Sequence, residues 1–308
     1  MMQERSDIYY KADRLLALKM IETGKMMRFL RLVFGISALF LSIQSARADQ
    51  YEISKVSDNV YAALAQPQGK VISNVFFIIT DYEVILAGAH FVAEGVNELL
   101  KQIAQITPLP VTQVILTHHH KGFNYVDFDL PEKAEIIVSV GTLQALKGEH
   151  REFRNPTLVF EENLTLNRGK TSIVVMDAGP GHSSGDLIVY LPKEGILFAS
   201  DLLFNDAVGY MGDASVREWG ESLELLEKLA PLKVVPGVGK VDNAGAITRF
   251  RNFYQAFMTE IIRNVEKGNT LAQTRKEFSL DQYKNLPGYK SFIDVNLERA
   301  YKQLKSQR

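Results

Sequence analysis

The chain has 308 residues, 46% hydrophobic and 23% charged, with net charge −1 and no cysteine. That length suits one large domain or two small ones, and a chain without cysteine has no disulfide framework. The first 48 residues hold eight Lys/Arg and four Asp/Glu; the rest keeps 27 of 35 basic and 32 of 36 acidic residues, a net of −5, which excludes the basic footprint of a nucleic-acid groove.

Residues 26–48 have the layout of a secretory signal. Lys25, Arg28 and Arg31 give a positive start, residues 32–43 are largely apolar, and Ala46-Arg47-Ala48 is a small-x-small cleavage site. Cleavage after Ala48 leaves Asp49 as the new N-terminus. An apolar run of twelve residues is short for a bilayer span, which argues against a signal anchor. No stable membrane anchor is expected, and the expected compartment is periplasmic or secreted. Residues 1–25 read as an N-terminal extension, because Met26 and Met27 stand where a signal should begin. Residues 49–308 are then the mature domain.

Within that domain, residues 60–64, 71–79 and 83–86 read as strands, with Asp81-Tyr82 as a turn. Val92, Val96, Leu99, Leu100 and Ile103 recur at helical spacing, and Pro108 and Pro110 end that helix. Residues 111–117 and 135–140 are strands, and 141–147 a short helix. A hairpin follows over 163–166 and 171–176, turning at Asn167-Arg168-Gly169, then another over 186–191 and 196–200. Val216, Trp219, Leu223, Leu226 and Leu229 mark a helix, 233–235 a strand, and 246–267, 271–278 and 289–304 closing helices. Strands and helices in this order give an α/β fold.

Three segments carry chemistry. Thr117-His118-His119-His120 ends an apolar strand. Alternate side chains of extended chain share a face, so His118 and His120 point at one place and His119 turns away. Gly181-His182-Ser183-Ser184-Gly185-Asp186 is a glycine-rich loop that lets His182 point back at that pair. Asp201 sits at the exit of the strand 196–200. Three imidazoles and an acid suit Zn²⁺ in a four-coordinate site with one position open to water. The plain alternatives are a histidine-rich polar loop and an aspartate that caps a turn.

The order and context of these segments resemble the metallo-β-lactamase-fold superfamily. Its motifs are His-x-His-x-Asp-His after a strand, a Gly-His-Ser/Thr-x-Gly loop, a strand-terminal Asp and a Pro-Gly-His-Gly loop. The resemblance spans about residues 55–305. It implies a four-layer αβ/βα sandwich with the site at one edge. It also implies that His118, His120 and His182 hold one Zn²⁺ per chain, with Asp201 as fourth ligand or water-orienting group. The chain departs from the pattern at Gly122 and Phe123, at Pro236-Gly237-Val238-Gly239, and at Ala87, where the family has an early Asp. Those departures fall on the family's second metal.

A zinc on three histidines lowers the pKa of its water and supplies a nucleophile near pH 7. The expected function is an exported zinc hydrolase of a small ester, thioester, lactone or amide. The alternative is a catalytically degenerate relative serving as a periplasmic metal- or ligand-binding accessory protein, since Gly122 cannot position water. An antibiotic-hydrolysing β-lactamase fits less well, because the second subsite is dismantled. His90, Asp127 and Asp129 are further candidates near the site; packing or solvation explains them more simply. His150, among Glu149, Arg151 and Glu152, reads as a surface residue.

Overall fold

A computed structural model describes residues 49–120, 131, 133–151, 154–211 and 213–306. The expectations on residues 1–48 and on Gly122, Phe123, Asp127 and Asp129 lie outside the described residues.

The first half builds a seven-stranded sheet in simple order. Its strands are β1 (Tyr51–Ser57), β2 (Val60–Ala65), β3 (Val75–Ile79), β4 (Val84–Gly88), β5 (Val111–Leu116), β6 (Glu135–Ser139) and β7 (Thr157–Phe160). Helices α1 (Ala93–Ile106) and α2 (Val140–Gly148) lie between β4 and β5 and between β6 and β7. The second half builds a sheet in the order β12-β11-β10-β9-β8 from β8 (Asn163–Arg168), β9 (Thr171–Asp177), β10 (Leu187–Leu191), β11 (Ile196–Phe204) and β12 (Lys233–Val238). Helices α3 (Val216–Lys228), α4 (Gly245–Glu266), α5 (Leu271–Glu277) and α6 (Tyr289–Ser306) belong to this half.

Layering follows from side-chain alternation. In β3, Phe76 and Ile78 join a core with Val175, Val189 and Phe198 of the other sheet. Val75 and Phe77 face the opposite way, against Val96, Leu99 and Ile103 of α1. The outer face of the second sheet packs Ile188 and Leu197 against Trp219, Phe253 and Phe257. Both faces of the central strands are thus buried, so they carry continuous apolar runs rather than polar alternation. The result is the expected four-layer αβ/βα sandwich.

Four local expectations change. β1 and β7 were not anticipated; their mixed Glu/Ser/Lys and short Thr-Leu-Val-Phe sequences carry little strand signal. The strand read from Val71 begins at Val75. The turn after β8 lies one residue later, because Arg168 pairs with Thr171 and leaves Gly169 and Lys170 as the loop. Asp201 is inside β11, which continues to Phe204.

The two sheets are pinned where their strand ends meet. Leu187 donates its N–H to the Thr117 carbonyl (2.8 Å), and the Thr117 and Ser200 hydroxyls bond at 2.7 Å. Asn74 donates its backbone N–H to the Gly237 carbonyl (2.7 Å) and its side-chain amide to those of Pro236 (2.8 Å) and Gly239 (2.9 Å). Its Oδ1 accepts from Ala65 N–H at 2.9 Å. Replacing Asn74 with Ala strands two carbonyls and an N–H, so it is expected to lower unfolding free energy by about 2–4 kcal/mol in a urea titration; a change below about 0.5 kcal/mol would show that the seam holds without it.

Candidate metal centre

β5 ends with its peptide clamped on both sides. Thr117 donates its N–H to the Gly88 carbonyl (2.9 Å) and accepts from Leu187. This fixes the chain direction just before the histidines. His118 is 1% exposed and His182 3%. The His118, His120 and His182 rings lie 4.6–5.0 Å apart, centre to centre, and each can offer one nitrogen within 4.8 Å of the others. His120 Nδ1 is 2.8 Å from His182 Nε2. The structure therefore brings these three together.

The loop that presents His182 is held by Asp186, whose carboxylate accepts the Ser183 N–H (2.9 Å) and hydroxyl (2.5 Å). Gly185 serves close approach rather than an unusual backbone angle. A Cβ there would meet the Thr142 nitrogen at 2.5 Å and the Ser139 hydroxyl at 2.7 Å. Both hydroxyls instead donate to its carbonyl, at 3.0 Å from Ser139 and 2.6 Å from Thr142. His182 then lies edge-on to Trp219 (5.6 Å) and Phe204 (6.0 Å), which fix its ring.

Asp201 follows Ser200, whose φ of 48° breaks the strand geometry and turns the next side chain inward. Asp201 Oδ2 lies 3.9 Å from His118 Nε2, 3.8 Å from His182 Nε2 and 3.9 Å from His90 Nδ1. It accepts the Ser73 hydroxyl at 2.8 Å. Its Oδ1 lies against Gly237, where a Cβ would come within 2.1 Å.

Comparison with known proteins bears on this geometry. Residues 129–238 match the family model described as the metallo-beta-lactamase superfamily. The chain is 28% identical over 204 residues to a "Metallo-beta-lactamase type 2" of Bacillus sp. (strain 170), covering 63% of this chain and 79% of that protein. The Bacillus cereus protein of the same description is 26% identical over 236 residues, 70% of this chain and 92% of the relative. A solved metallo-beta-lactamase from Pontibacter korlensis superposes with a TM-score of 0.58 at 23% identity, covering 67% of this chain and 99% of that one. The chain has the metallo-β-lactamase fold, and its residues 129–238 are similar in sequence to that superfamily.

Where the superfamily it resembles has an early acid and a late histidine, this chain has Ala87, buried in β4, and Val238, which lines the cavity. Other polar residues gather instead. His90 is 5% exposed, with φ of 55°, and bonds Ser73 Oγ through Nδ1 at 2.8 Å. It is thus a site residue rather than a plain packing histidine. Asp213 accepts from His120 Nε2 at 2.6 Å. His119 does turn from the three-histidine point, and its Nε2 lies 3.7 Å from both Glu149 and Asp213. His150 is exposed, as expected. Sequence reasoning missed Ser73 and Asp213: Ser73 was absorbed into a strand, and nothing in the sequence around Asp213 marks it as a partner of His120.

A cavity of about 1180 Å³ opens onto His90, His120, His182 and Asp201. Its other walls include Val71, Ile72, Phe204, Tyr210, Val238 and Phe292. Burial holds His90 down to about 3, helped by the charge of His120. Burial and the neighbouring imidazoles hold His118 and His182 well below the ordinary histidine range. His119 falls to about 4, mainly by burial. Burial opposes charge on His120 too, but the Asp213 hydrogen bond and charge outweigh it and raise its pKa. Burial pushes Asp201 up to about 7 and Asp186 up to about 6.

These groups fit a cation. The three imidazoles are zinc donors by type. His118 Nε2 and Asp201 Oδ1 are buried with no hydrogen-bond partner among the described residues, an arrangement that a bound ion would relieve.

Acid sensitivity of chelator-treated protein follows. His90, His118, His119 and His182 exclude, when folded, protons that the unfolded chain binds below about pH 6.5. Asp186 and Asp201 oppose this, holding when folded protons that the unfolded chain releases above about pH 4. Asp177, also raised by burial, opposes it too, so four imidazoles against three carboxylates leave a net uptake of about one to two protons on unfolding near pH 5. Stability is expected to fall there by about 1–3 kcal/mol per unit of acidification, measured by urea titration at a series of pH values. A flat profile from pH 6.5 to 4.5 would contradict the buried neutral imidazoles.

Proposed function

We propose that this metallo-hydrolase is an exported zinc enzyme that cleaves a small ester, thioester, lactone or amide. His118, His120 and His182 are the zinc ligands, and Asp201 is the group that handles the proton beside them. The observation that carries this reading is the convergence of three imidazole nitrogens within 4.8 Å at the wall of an apolar cavity. When bound there, zinc supplies a Lewis acid and a water of lowered pKa.

The chain's own residues do the rest. Asp213 accepts the proton of His120 Nε2 and so leaves Nδ1 as the donor atom, directed toward His182 Nε2. Burial keeps His118 and His182 neutral, the form in which imidazole binds metal. Ser73 orients the Asp201 carboxylate through Oδ2. Asp201 Oδ2 lies 3.8–3.9 Å from His118 and His182 Nε2, within reach of a water held there, whose proton it would take up and return as a general base and then acid must. The apolar walls accept the body of an apolar substrate. Residues 26–48 support export with Asp49 as the mature start; N-terminal sequencing of protein from the periplasmic fraction would show Asp49, and an uncleaved chain would contradict it.

The test is a panel of chromogenic esters, thioesters, lactones and anilides, assayed with and without chelator. Turnover that zinc restores, and that falls by about 10²–10⁴ in Asp201→Asn with zinc content kept, supports the reading. Asp213→Asn is expected to weaken zinc binding by about 10–100-fold. Bound zinc without turnover of any substrate in the panel would move the protein to the accessory, ligand-binding class. Zinc content unchanged by His120→Ala would refute the ligand assignment.

A further inference from the structure

The cavity beside the imidazoles takes its apolar walls from three separate segments. The connection between β2 and β3 supplies Val71 and Ile72, the end of β11 and the loop after it supply Phe204 and Tyr210, and α6 supplies Phe292. Buried amides hold these walls in place. Gln50 accepts the Gln66 N–H through its carbonyl (3.0 Å) and the Lys70 N–H through Oε1 (2.7 Å). Asn296 accepts the Met211 N–H (2.8 Å) and donates to the Gly209 carbonyl (2.8 Å), which ties the loop of Tyr210 to α6. The Tyr210 and Phe292 rings then stand 6.3 Å apart. At about 1180 Å³ the cavity exceeds the roughly 300–1,000 Å³ usual for drug-sized ligands.

The fixed charges of this cavity have one sign. Its described lining includes Glu149, Asp201 and Asp213 and no Lys or Arg. Two basic side chains beside it are engaged elsewhere: Lys70 pairs with Glu94, and Arg151 with Glu149 (2.9 Å) and the His119 carbonyl (2.6 Å). A carboxylate on the body of a ligand would lie against carboxylates and hydrocarbon, and would lose its hydration without a counter-charge. A hydrocarbon chain in the same place gains about fourfold in affinity for each methylene buried.

We propose that the substrate is uncharged, that it lays an apolar chain along the wall of Val71, Ile72, Phe204 and Phe292, and that the cavity rejects a chain ending in a carboxylate. The proposal deepens the hydrolase reading and rests on it for turnover, though not for binding. Phe292 is a specificity-determining residue, because its ring is the contribution of α6 to the apolar wall. Tyr210 lines the cavity while 41% exposed, so it stands at the mouth, where a cation in its place would pair a charged chain end.

Binding is measured by isothermal titration calorimetry on the purified, chelator-treated protein, so that no ligand coordinates a metal. Alkan-2-ones from butan-2-one to octan-2-one are compared with the keto acids that replace the terminal methyl with a carboxylate. Affinity for the ketones is expected to rise about fourfold per methylene, and each ketone to bind at least about 10-fold better than its keto acid. Phe292→Ala reduces the gain to about twofold per methylene. Tyr210→Lys raises keto-acid affinity by about 10-fold. Circular dichroism checks that each variant folds; if Phe292→Ala does not, Tyr210→Lys, at an exposed position, decides. Ketone affinity independent of length, or keto acids bound as well as ketones, overturns the proposal. A length dependence and a charge preference that both variants leave unaltered also overturn it. The zinc-loaded protein is then assayed on p-nitrophenyl esters of the matching acyl chains. Ketone binding as expected without ester turnover overturns the hydrolase reading and leaves the preference of the cavity standing. Ester turnover without ketone binding, or fastest for acyl chains ending in a carboxylate, overturns the preference and leaves the hydrolase reading standing. Neither binding nor turnover overturns both.

Discussion

Burying an imidazole or a carboxylate at the meeting edge of two sheets strips it of water. Each buried polar atom without a partner costs about 1–3 kcal/mol. At this edge the chain places His90, His118, His182 and Asp201, each no more than 5% exposed, with no Lys or Arg side chain among the described residues that line the cavity. The protein meets the cost in two ways. It keeps the deepest histidines neutral, and it lets Asp201 hold its proton up to about 7. Both responses leave lone pairs aimed inward. A cation at those lone pairs would turn the energetic liability into binding energy.

That constraint explains the seam. Donor atoms can converge only if the strand ends of separate sheets are held in fixed register. Thr117 links β5 to β10 and β11, and Asn74 links the start of β3 to the end of β12. These bonds sit within a few residues of His118, His182, Asp201 and Ser73. The sheets themselves are covered on both faces by helices and by each other, so their interiors are rigid apolar layers. Precision is thus inherited from the layers, and chemistry is confined to residues that leave them.

Much of this was legible in the sequence. The apolar runs of β3, β4, β5 and β11 and the helical spacing of α1 and α3 follow from periodicity, because packing against a layer enforces it. The pairing of His118 with His120 follows from strand alternation, and the role of the 181–186 loop from its glycines and histidine. The rest depended on contacts distant in sequence. Ser73 and Asp201 are 128 positions apart, and His120 and Asp213 are 93. A lone serine or a loop aspartate carries no local pattern that could reveal such a partner. His90 was legible only as a residue near the site, since its turn into the centre depends on one left-handed backbone angle. The continuation of β11 past Asp201 was hidden by the break at Ser200 for the same reason.

X-ray absorption at the zinc edge, on protein loaded with one equivalent, tests the central claim most directly. The account predicts nitrogen and oxygen neighbours at about 2.0–2.1 Å and the multiple-scattering pattern of about three imidazoles, reduced by one in His182→Ala. A spectrum with one imidazole or none, or one that His182→Ala leaves unaltered, would contradict it.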